Sequence, residues 1–237
     1  MLMRYFILNR AKKTIFLLVT TLSLIALSCR EEVTDATVEL VRGQAFLVHD
    51  KNENALKPGD IISEMDSVKT GVDGIVLVSI QKQNARLEIQ PNSLIAFSSI
   101  LKNEKILNIR SGNLWFKLNH TRANEKWFVK TPTSVAGIRG TKIFTFQIGD
   151  MFGTCHCEGD VEFSSASGDY FSTHHKDYLT ISSAEKTIVI TDDDSRNANI
   201  IPNHNHSVLE NSPLGPKVNI TDEEKAKLMR LISKKMK

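Results

Sequence analysis

The chain has 237 residues, of which 41% are hydrophobic and 24% charged, so it can bury a sizeable core and global disorder is excluded. Its formal charge is +3, but residues 1–28 hold four basic and no acidic residues, so the remainder carries 3 − 4 = −1. This balance argues against nucleic acid as a partner.

Residues 1–28 have the pattern of a secretory signal peptide. Basic residues precede an apolar run of about 14 residues, which is short for a membrane-spanning helix of roughly 20. Ser28 stands directly before Cys29, so we expect cleavage there, lipidation of Cys29, and a tether over residues 29–36. A lipobox usually has Leu where this chain has Ala26, so an uncleaved anchor helix is the alternative. Both interpretations attach the protein to a membrane.

Residues 37–191 consist of many short apolar runs broken by turn residues. Polar and apolar residues alternate in Arg86–Ile89, and Phe144, Phe146 and Ile148 are spaced to share one strand face. Turn signals fall between the runs, at Pro58-Gly59-Asp60, Asp73-Gly74, Pro91-Asn92, Ser111-Gly112 and Ser167-Gly168-Asp169. The pattern predicts an all-β domain, either a sandwich, a roll or a solenoid-like stack of short strands.

The most distinctive stretch runs from Trp127 to Phe144. A strand-like run reaches Pro132, where a strand must end or bend because proline has no N–H to donate. Gly137 and Gly140 then permit a tight turn or bulge that fixes the direction of Arg139. We expect a new strand to begin near Thr141.

Short motifs occur along the chain in a definite order. They are Pro58-Gly59-Asp60, Ser67-Val68-Lys69-Thr70-Gly71, Pro91-Asn92-Ser93, Ser111-Gly112-Asn113-Leu114, Thr131-Pro132, Ala136-Gly137-Ile138-Arg139-Gly140-Thr141 and Glu158-Gly159-Asp160-Val161. This series resembles the FecR domain family over residues 37–165. The resemblance implies an extracytoplasmic all-β domain of signalling or cell-envelope proteins, with no known chemistry.

The family-like stretch supplies the candidate structural or recognition residues. They are Pro132, Gly137, Arg139, Gly140, Thr141, Glu158 and Gly159. Arg139 has two interpretations: an internal clamp paired with Glu158 or Asp160, which the flanking glycines favour, or a recognition residue that binds a carboxylate of a partner.

Cys155 and Cys157 are separated only by His156. In a regular strand, residues two apart lie about 6.6 Å from each other with parallel side chains, so we expect two unbridged thiols. Small buried hydrophobic residues are the favoured interpretation, and a strained redox pair or a metal site are the alternatives. We predict no metal site and no cofactor, because no second ligand pair stands at zinc spacing.

The chain changes character after Thr191. Residues 192–216 are rich in Asp, Asn and Pro, which predicts a linker, whereas Thr221 and Glu224 form a capping-box pattern that opens a basic amphipathic helix within residues 217–237. Residues 217–237 carry 7 − 3 = +4, which leaves −1 − 4 = −5 for residues 29–216. The helix therefore either docks on the acidic β-domain or contacts an anionic membrane or wall polymer.

No catalytic signature stands out, since phosphate-loop, HExxH and GxSxG motifs and a Cys/His nucleophile arrangement are missing from the sequence. We therefore predict a non-enzymatic, lipid-anchored binding or scaffold module of the bacterial envelope. The expected location is the outer membrane, on its periplasmic or surface side, because Arg30 rather than Asp follows Cys29. An envelope protein or wall glycan is the expected partner. The alternative is a component of sigma-factor-linked signalling without its own cytoplasmic domain, since only about 14 residues precede the apolar run.

Overall fold

Sixteen β-strands and two α-helices form the described part of the protein in a computed structural model. The description covers residues 36–80, 84–101, 103–121, 124–166, 168–173, 177–200, 205–215 and 221–237. The expected signal peptide, Cys29 and the tether up to residue 35 lie outside it. No helix within these ranges is long and apolar enough to cross a membrane. The all-β fold with a C-terminal helix is confirmed.

The strands follow one another with short connections. They are β1 (Ala36–Arg42), β2 (Ala45–His49), β3 (Asn52–Ala55), β4 (Ile61–Ile62), β5 (Ser67–Thr70), β6 (Ile75–Ile80), β7 (Ala85–Ile89), β8 (Leu94–Ser99), β9 (Glu104–Ser111), β10 (Leu114–Leu118), β11 (Lys126–Lys130), β12 (Ser134–Ile148), β13 (Met151–Ser165), β14 (Tyr170–Thr173), β15 (Asp177–Ser182) and β16 (Thr187–Thr191). The helices are α1 (Asp192–Asn197) and α2 (Asp222–Met236).

Strand β12 joins the two halves of a curled sheet. Its first part pairs with β11, and the sheet continues from there through β9, β8, β5 and β2 to β3. Its last part pairs with β10, followed by β7, β6, β1 and β4. Every pairing is antiparallel except that of β9 with β11. Because β12 bonds to different strands along its length, the sheet turns back on itself and encloses a core.

The first core lies between the two halves and is almost entirely aliphatic and aromatic. Its largest fully buried side chains include Phe97, Phe116, Trp127, Phe163, Leu87 and Ile95. Burying one such side chain stabilises the fold by about 1.5–3 kcal/mol. The sheet therefore closes because both of its halves present apolar faces to the same interior.

A β-bulge at Gly140 changes which residues of β12 face this core. Even-numbered residues are buried from Ser134 to Ile138, whereas odd-numbered residues are buried from Thr141 to Thr145. One extra residue in a strand shifts all later side chains to the other face. The expected new strand near Thr141 is therefore wrong: β12 begins at Ser134 and continues through a bulge.

A second bulge on β13 restores the pairing. Lys142 lies opposite Glu158, while the next residue, Ile143, lies opposite His156, so Cys157 has no direct partner on β12. The two bulges together keep the long β12–β13 hairpin in register at both ends. They also concentrate its irregular backbone in one short region.

The second core lies on the other face of this hairpin. It contains Cys155, Tyr178, Leu179, Ile181, Ile188, Ile190, Ile200 and Ile232, with Phe144, Phe146 and Ile148 packed against it. The predicted shared face of these last three residues is therefore confirmed. Strands β13, β15 and β16 form the sheet side of this core, and the two helices cover it.

Helix α2 begins at the predicted capping box. The Thr221 hydroxyl accepts from the Glu224 N–H at 3.2 Å, and the Glu224 carboxylate accepts from the Thr221 N–H at 2.8 Å. The apolar stripe of the helix packs on the second core, where Ile232 is fully buried and Leu228 is partly buried. Lys235 adds an ion pair to Asp194 of α1 at 2.5 Å. The structure thus places the stripe against the protein's own sheet.

The region interpreted as a linker, residues 192–216, contains packed structure. Its first residues form α1, which begins at a capping box of Thr191 and Asp194. Ser207 and Leu214 are 1% exposed. The sequence could not indicate this because the partner of Ser207, Glu88 in β7, lies far away in the chain, as described below.

Candidate functional site

The family-like motif lines an open cleft at the Gly140 bulge. The cleft has a volume of about 480 Å³ and is lined by Asn84, Lys117, Leu118, Asn119, His120, Thr141 and Glu158. We call it the bulge cleft. Its side chains come from the ends of neighbouring strands, because Lys117 of β10 lies opposite Lys142 of β12, which in turn lies opposite Glu158 of β13.

One rim of the bulge cleft is held by a pair of reciprocal hydrogen bonds. The side-chain amide of Asn84 donates to the carbonyl of His120 at 2.8 Å, and the His120 N–H donates to the Asn84 side-chain oxygen at 3.2 Å. The Asn119 N–H also donates to the Asn84 carbonyl at 2.9 Å. The loop after β10 is therefore fixed in place before any ligand arrives.

Thr141 is the most unusual residue of the cleft. It is 1% exposed, and its hydroxyl makes no hydrogen bond to any described residue. A buried polar group without a partner costs about 1–3 kcal/mol, and such groups are rare in folded proteins. The hydroxyl is therefore an energetic cost that the fold tolerates at the bulge.

Two of the motif glycines are required by the backbone at the bulge. Gly140 has φ +55° and Gly159 has φ +82°. A Cβ on Gly159 would lie 2.7 Å from the Gly140 carbonyl oxygen and 2.6 Å from Cγ2 of Thr141. The two strands therefore approach too closely here for a side chain.

The other predicted residues lie outside the cleft lining. Pro132 is exposed in the connection between β11 and β12, so the strand ends at proline as predicted. Gly137 lies within β12 without positive φ, and a Cβ there would meet only ordinary contacts of 3.5–3.6 Å. Gly137 therefore does not shape the bulge.

Arg139 is exposed, next to the bulge cleft, and its Cα lies opposite that of Asp160. Among the side chains that the structure describes, no ion pair joins Arg139 to Glu158, and the side chain of Asp160 is not among them. An exposed pair contributes at most about 1 kcal/mol. The clamp stays a prediction, but the exposure of Arg139 excludes a buried one.

A second site, not predicted from the sequence, lies at the other bulge. The thiols of Cys155 and Cys157 and a ring nitrogen of His206 all lie within 4.8 Å of one another. Both cysteines are free; Cys155 is buried and Cys157 is exposed. His156 faces the opposite side, where its Nε2 lies 2.8 Å from the Thr180 hydroxyl. The predicted absence of a metal site, which was based on the lack of a second ligand pair at zinc spacing, stays a prediction, but the structure brings one further potential ligand, His206, close to the two cysteines.

The surroundings of these residues favour uncharged forms. The neighbouring Cys157 thiol and burial hold the pKa of Cys155 well above its ordinary value. Burial lowers the pKa of His156 from 6.5 to about 4 and raises the pKa of Tyr178.

The segment that carries His206 is held by a buried carboxylate, which the sequence did not indicate. Glu88 of β7 has no exposed surface. It accepts hydrogen bonds from the hydroxyls of Ser207 at 2.6 Å and Ser212 at 2.9 Å, and from the Val208 N–H at 2.7 Å. Glu88 looked like the outward polar residue of an alternating strand, and no local signal indicates that a segment about 120 residues later covers it.

The comparison with protein families agrees with the motif series. Residues 66–162 match the family model described as FecR protein. This part of the chain is therefore similar to the FecR family, as the motif series indicates. The matched range includes Thr141 and Glu158, the two motif residues that line the bulge cleft.

The chain also aligns with two crystal structures, at 1.65 Å and 2.50 Å, of a protein from Parabacteroides distasonis ATCC 8503 that is provisionally assigned as an anti-sigma factor. Each has 9% sequence identity and a TM-score of 0.45 over 56% of this chain. The match covers 63% and 62% of those chains, so this chain spans less than two thirds of their length. No curated protein matches the chain.

Proposed function

We propose that this protein is a non-enzymatic FecR-domain module of the bacterial envelope, anchored by a lipid on Cys29, that binds another envelope protein. The FecR match supports a regulatory role, because members of this family are regulatory proteins and not enzymes. The partner binds at the bulge cleft.

The observation that carries this proposal is the open cleft that the family-like motif lines with Thr141 and Glu158, beside exposed Arg139. The lining offers amides, a lysine, a histidine and a carboxylate, which suit a polar segment of a partner protein. Arg139 stands beside the cleft, and its planar guanidinium can bind a carboxylate of that partner with two hydrogen bonds. The exposure of Arg139 supports this recognition role.

The anchor is proposed from the sequence alone. The short apolar run ending in Ser28-Cys29 favours lipidation, and Arg30 favours export to the outer membrane. Each buried CH₂ of an acyl chain contributes about 0.8 kcal/mol, so two or three chains give stable attachment. Incorporation of labelled palmitate by the wild type, and its loss in Cys29→Ala with release from the membrane fraction, tests this part.

A second candidate function is sigma-factor-linked signalling, which the FecR match favours. In this case the protein binds a membrane-crossing partner that carries the signal to the cytoplasm. A partner with a sigma-factor-binding region would support signalling, and a partner without any membrane-crossing segment would favour a scaffold.

The binding site is tested by cross-linking the full chain in membranes of its own host, with mass spectrometry to identify captured proteins. We expect Arg139→Glu to lose the partner. The matched control is Arg110→Glu, which reverses the charge of an exposed arginine on β9 and should retain the partner. Equal capture by both variants would contradict a partner site at the bulge cleft.

A further inference from the structure

Three metal-ligating side chains meet at the second bulge of the hairpin. The Sγ atoms of Cys155 and Cys157 and a ring nitrogen of His206 are mutually within 4.8 Å. In a tetrahedral zinc site, ligand atoms about 2.0–2.3 Å from the ion lie roughly 3.3–3.8 Å from one another. Only a contraction of about 1 Å separates the cluster from such a geometry.

The bulge explains why two cysteines so close in sequence can share an ion. In a regular strand, their side chains would run parallel, about 6.6 Å apart. Cys157 instead occupies the unpaired position of the β13 bulge, where the backbone bends, and its thiol lies 3.7 Å from the Cys155 carbonyl oxygen.

His206 is held in position independently of any ion. Its carbonyl accepts from the Gln90 side-chain amide at 2.5 Å, and the following residue, Ser207, is bonded to buried Glu88. Its ring stacks on Phe144 at a centroid distance of 4.1 Å and meets Trp115 edge-on at 5.3 Å. A fixed histidine loses little freedom when it binds a metal, which favours affinity.

The cluster opens into an apolar cleft of about 360 Å³ between the hairpin and α2. Cys155 and His206 line it together with Phe144, Phe146, Leu228 and Met229. Three protein ligands and an open fourth position are typical of sites where the metal takes an exogenous ligand. Thiolate and imidazole donors select thiophilic ions over Mg²⁺ or Ca²⁺.

We propose that Cys155, Cys157 and His206 bind one thiophilic metal ion, Zn²⁺ or Cu⁺, whose remaining coordination position opens into the apolar cleft. The ion ties the 205–215 segment to the β12–β13 hairpin. This inference goes beyond the proposed partner binding and uses none of the residues lining the bulge cleft.

The test uses the full chain, purified in detergent with its thiols reduced. Titration with Co²⁺, Zn²⁺ and Cu⁺ should saturate at one ion per chain, and Co²⁺ should give thiolate charge-transfer absorption. Competition between the ions then decides between Zn²⁺ and Cu⁺. Binding of neither Zn²⁺ nor Cu⁺ at this stoichiometry would overturn the proposal.

Two variants locate the ion. Cys157→Ser alters an exposed residue, and His206→Phe keeps a ring that can stack on Phe144. Each should weaken metal binding by more than about 100-fold. Replacing a residue that only hydrogen-bonds to a metal ligand already lowers metal affinity about 10- to 100-fold, and these variants remove a ligand itself. Retention of wild-type affinity by either variant would refute the site.

Two control variants separate this site from other thiols and histidines. Cys29→Ala and His120→Gln should bind the ion as the wild type does, and a loss in either would place the ion elsewhere. Isolation of the protein without reductant and without oxygen should give free thiols, whereas a Cys155–Cys157 disulfide would contradict metal binding.

Discussion

The carboxylate of Glu88 accepts a hydrogen bond from the hydroxyl of Ser207 at 2.6 Å, although 119 residues separate the two in the sequence. This contact joins β7, within the range that matches the FecR family, to the 205–215 segment, which comes after α1 in the chain. A buried carboxylate is costly unless its oxygens are hydrogen-bonded, so the 205–215 segment and Glu88 require each other.

We expect Glu88→Gln to destabilise the protein by about 2–3 kcal/mol, because an amide nitrogen would then face hydroxyl and N–H donors. Urea unfolding measures the change in free energy. Hydrogen exchange at the Val208 and Leu214 amides should also accelerate.

The matched control for this change is Glu104→Gln, at an exposed position at the start of β9. It should alter stability by no more than about 0.5 kcal/mol. Equal effects of the two substitutions would show that Glu88 does not anchor the segment.

The bulge predicts different outcomes for two glycines of the same motif region. Gly159→Ala places a methyl group 2.7 Å from the Gly140 carbonyl oxygen at positive φ, so we expect a loss of more than about 2 kcal/mol. At Gly137 an added Cβ would make only ordinary contacts and φ is not positive. Gly137→Ala should therefore be neutral or stabilise the protein by up to about 1 kcal/mol, because alanine lowers the conformational entropy of the unfolded chain. Thermal unfolding of both variants measures this, and a neutral Gly159→Ala would contradict the close approach of the strands.

Docking of α2 is tested at its buried face. Ile232→Ala removes a side chain that is 1% exposed and should cost about 2–4 kcal/mol. Met229→Ala, on the same helix but 40% exposed, should cost less than about 1 kcal/mol. If Ile232→Ala leaves chemical denaturation unchanged, the helix does not dock in solution and its contact with a membrane becomes the better interpretation.

The contact between His49 and Asp66 predicts a pH dependence of stability. The His49 Nδ1 lies 2.5 Å from the Asp66 carboxylate, and this hydrogen bond, followed by the charge of Asp50, raises the pKa of His49 above 6.5. A raised folded-state pKa gives stability that is complete below about pH 6.5 and is lost as the pH rises through the folded value. The thermal midpoint should therefore fall on going from pH 6 to about pH 8.

The pH effect should disappear in His49→Gln. The control His120→Gln changes an exposed histidine away from Asp66 and should retain it. If the thermal midpoint of His49→Gln still falls between pH 6 and about pH 8, another group causes the pH dependence.

Local patterns in the sequence were sufficient for the fold class and the helix. The period-two spacing of Phe144, Phe146 and Ile148 identified one strand face, and Thr221 with Glu224 identified the start of α2. Such features depend on neighbouring residues, so a linear pattern contains them. In β13, residues 152–155 are all buried, so this part of the strand lacks the alternation of polar and apolar residues that marks a half-exposed strand.

The ordered motifs indicated a similarity to the FecR family and singled out the stretch from Trp127 to Phe144, but the sequence by itself could not assign roles to the residues of that stretch. Gly137 and Gly140 look equivalent in the motif, yet only Gly140 adopts positive φ. Whether a glycine forms a turn or a bulge depends on what the neighbouring strands pair with, and here β10, β11 and β13 decide it.

Only the tertiary structure brought together Glu88 with the 205–215 segment, and Cys155 and Cys157 with His206. The physical reason is the separation along the chain: hydrogen bonds and metal ligation act over a few ångströms in space, and the sheet must curl before residues more than 100 positions apart can meet. The sequence thus determined which segments become strands and helix, and the closing of the sheet determined which of their polar side chains are buried, paired or left open to a ligand.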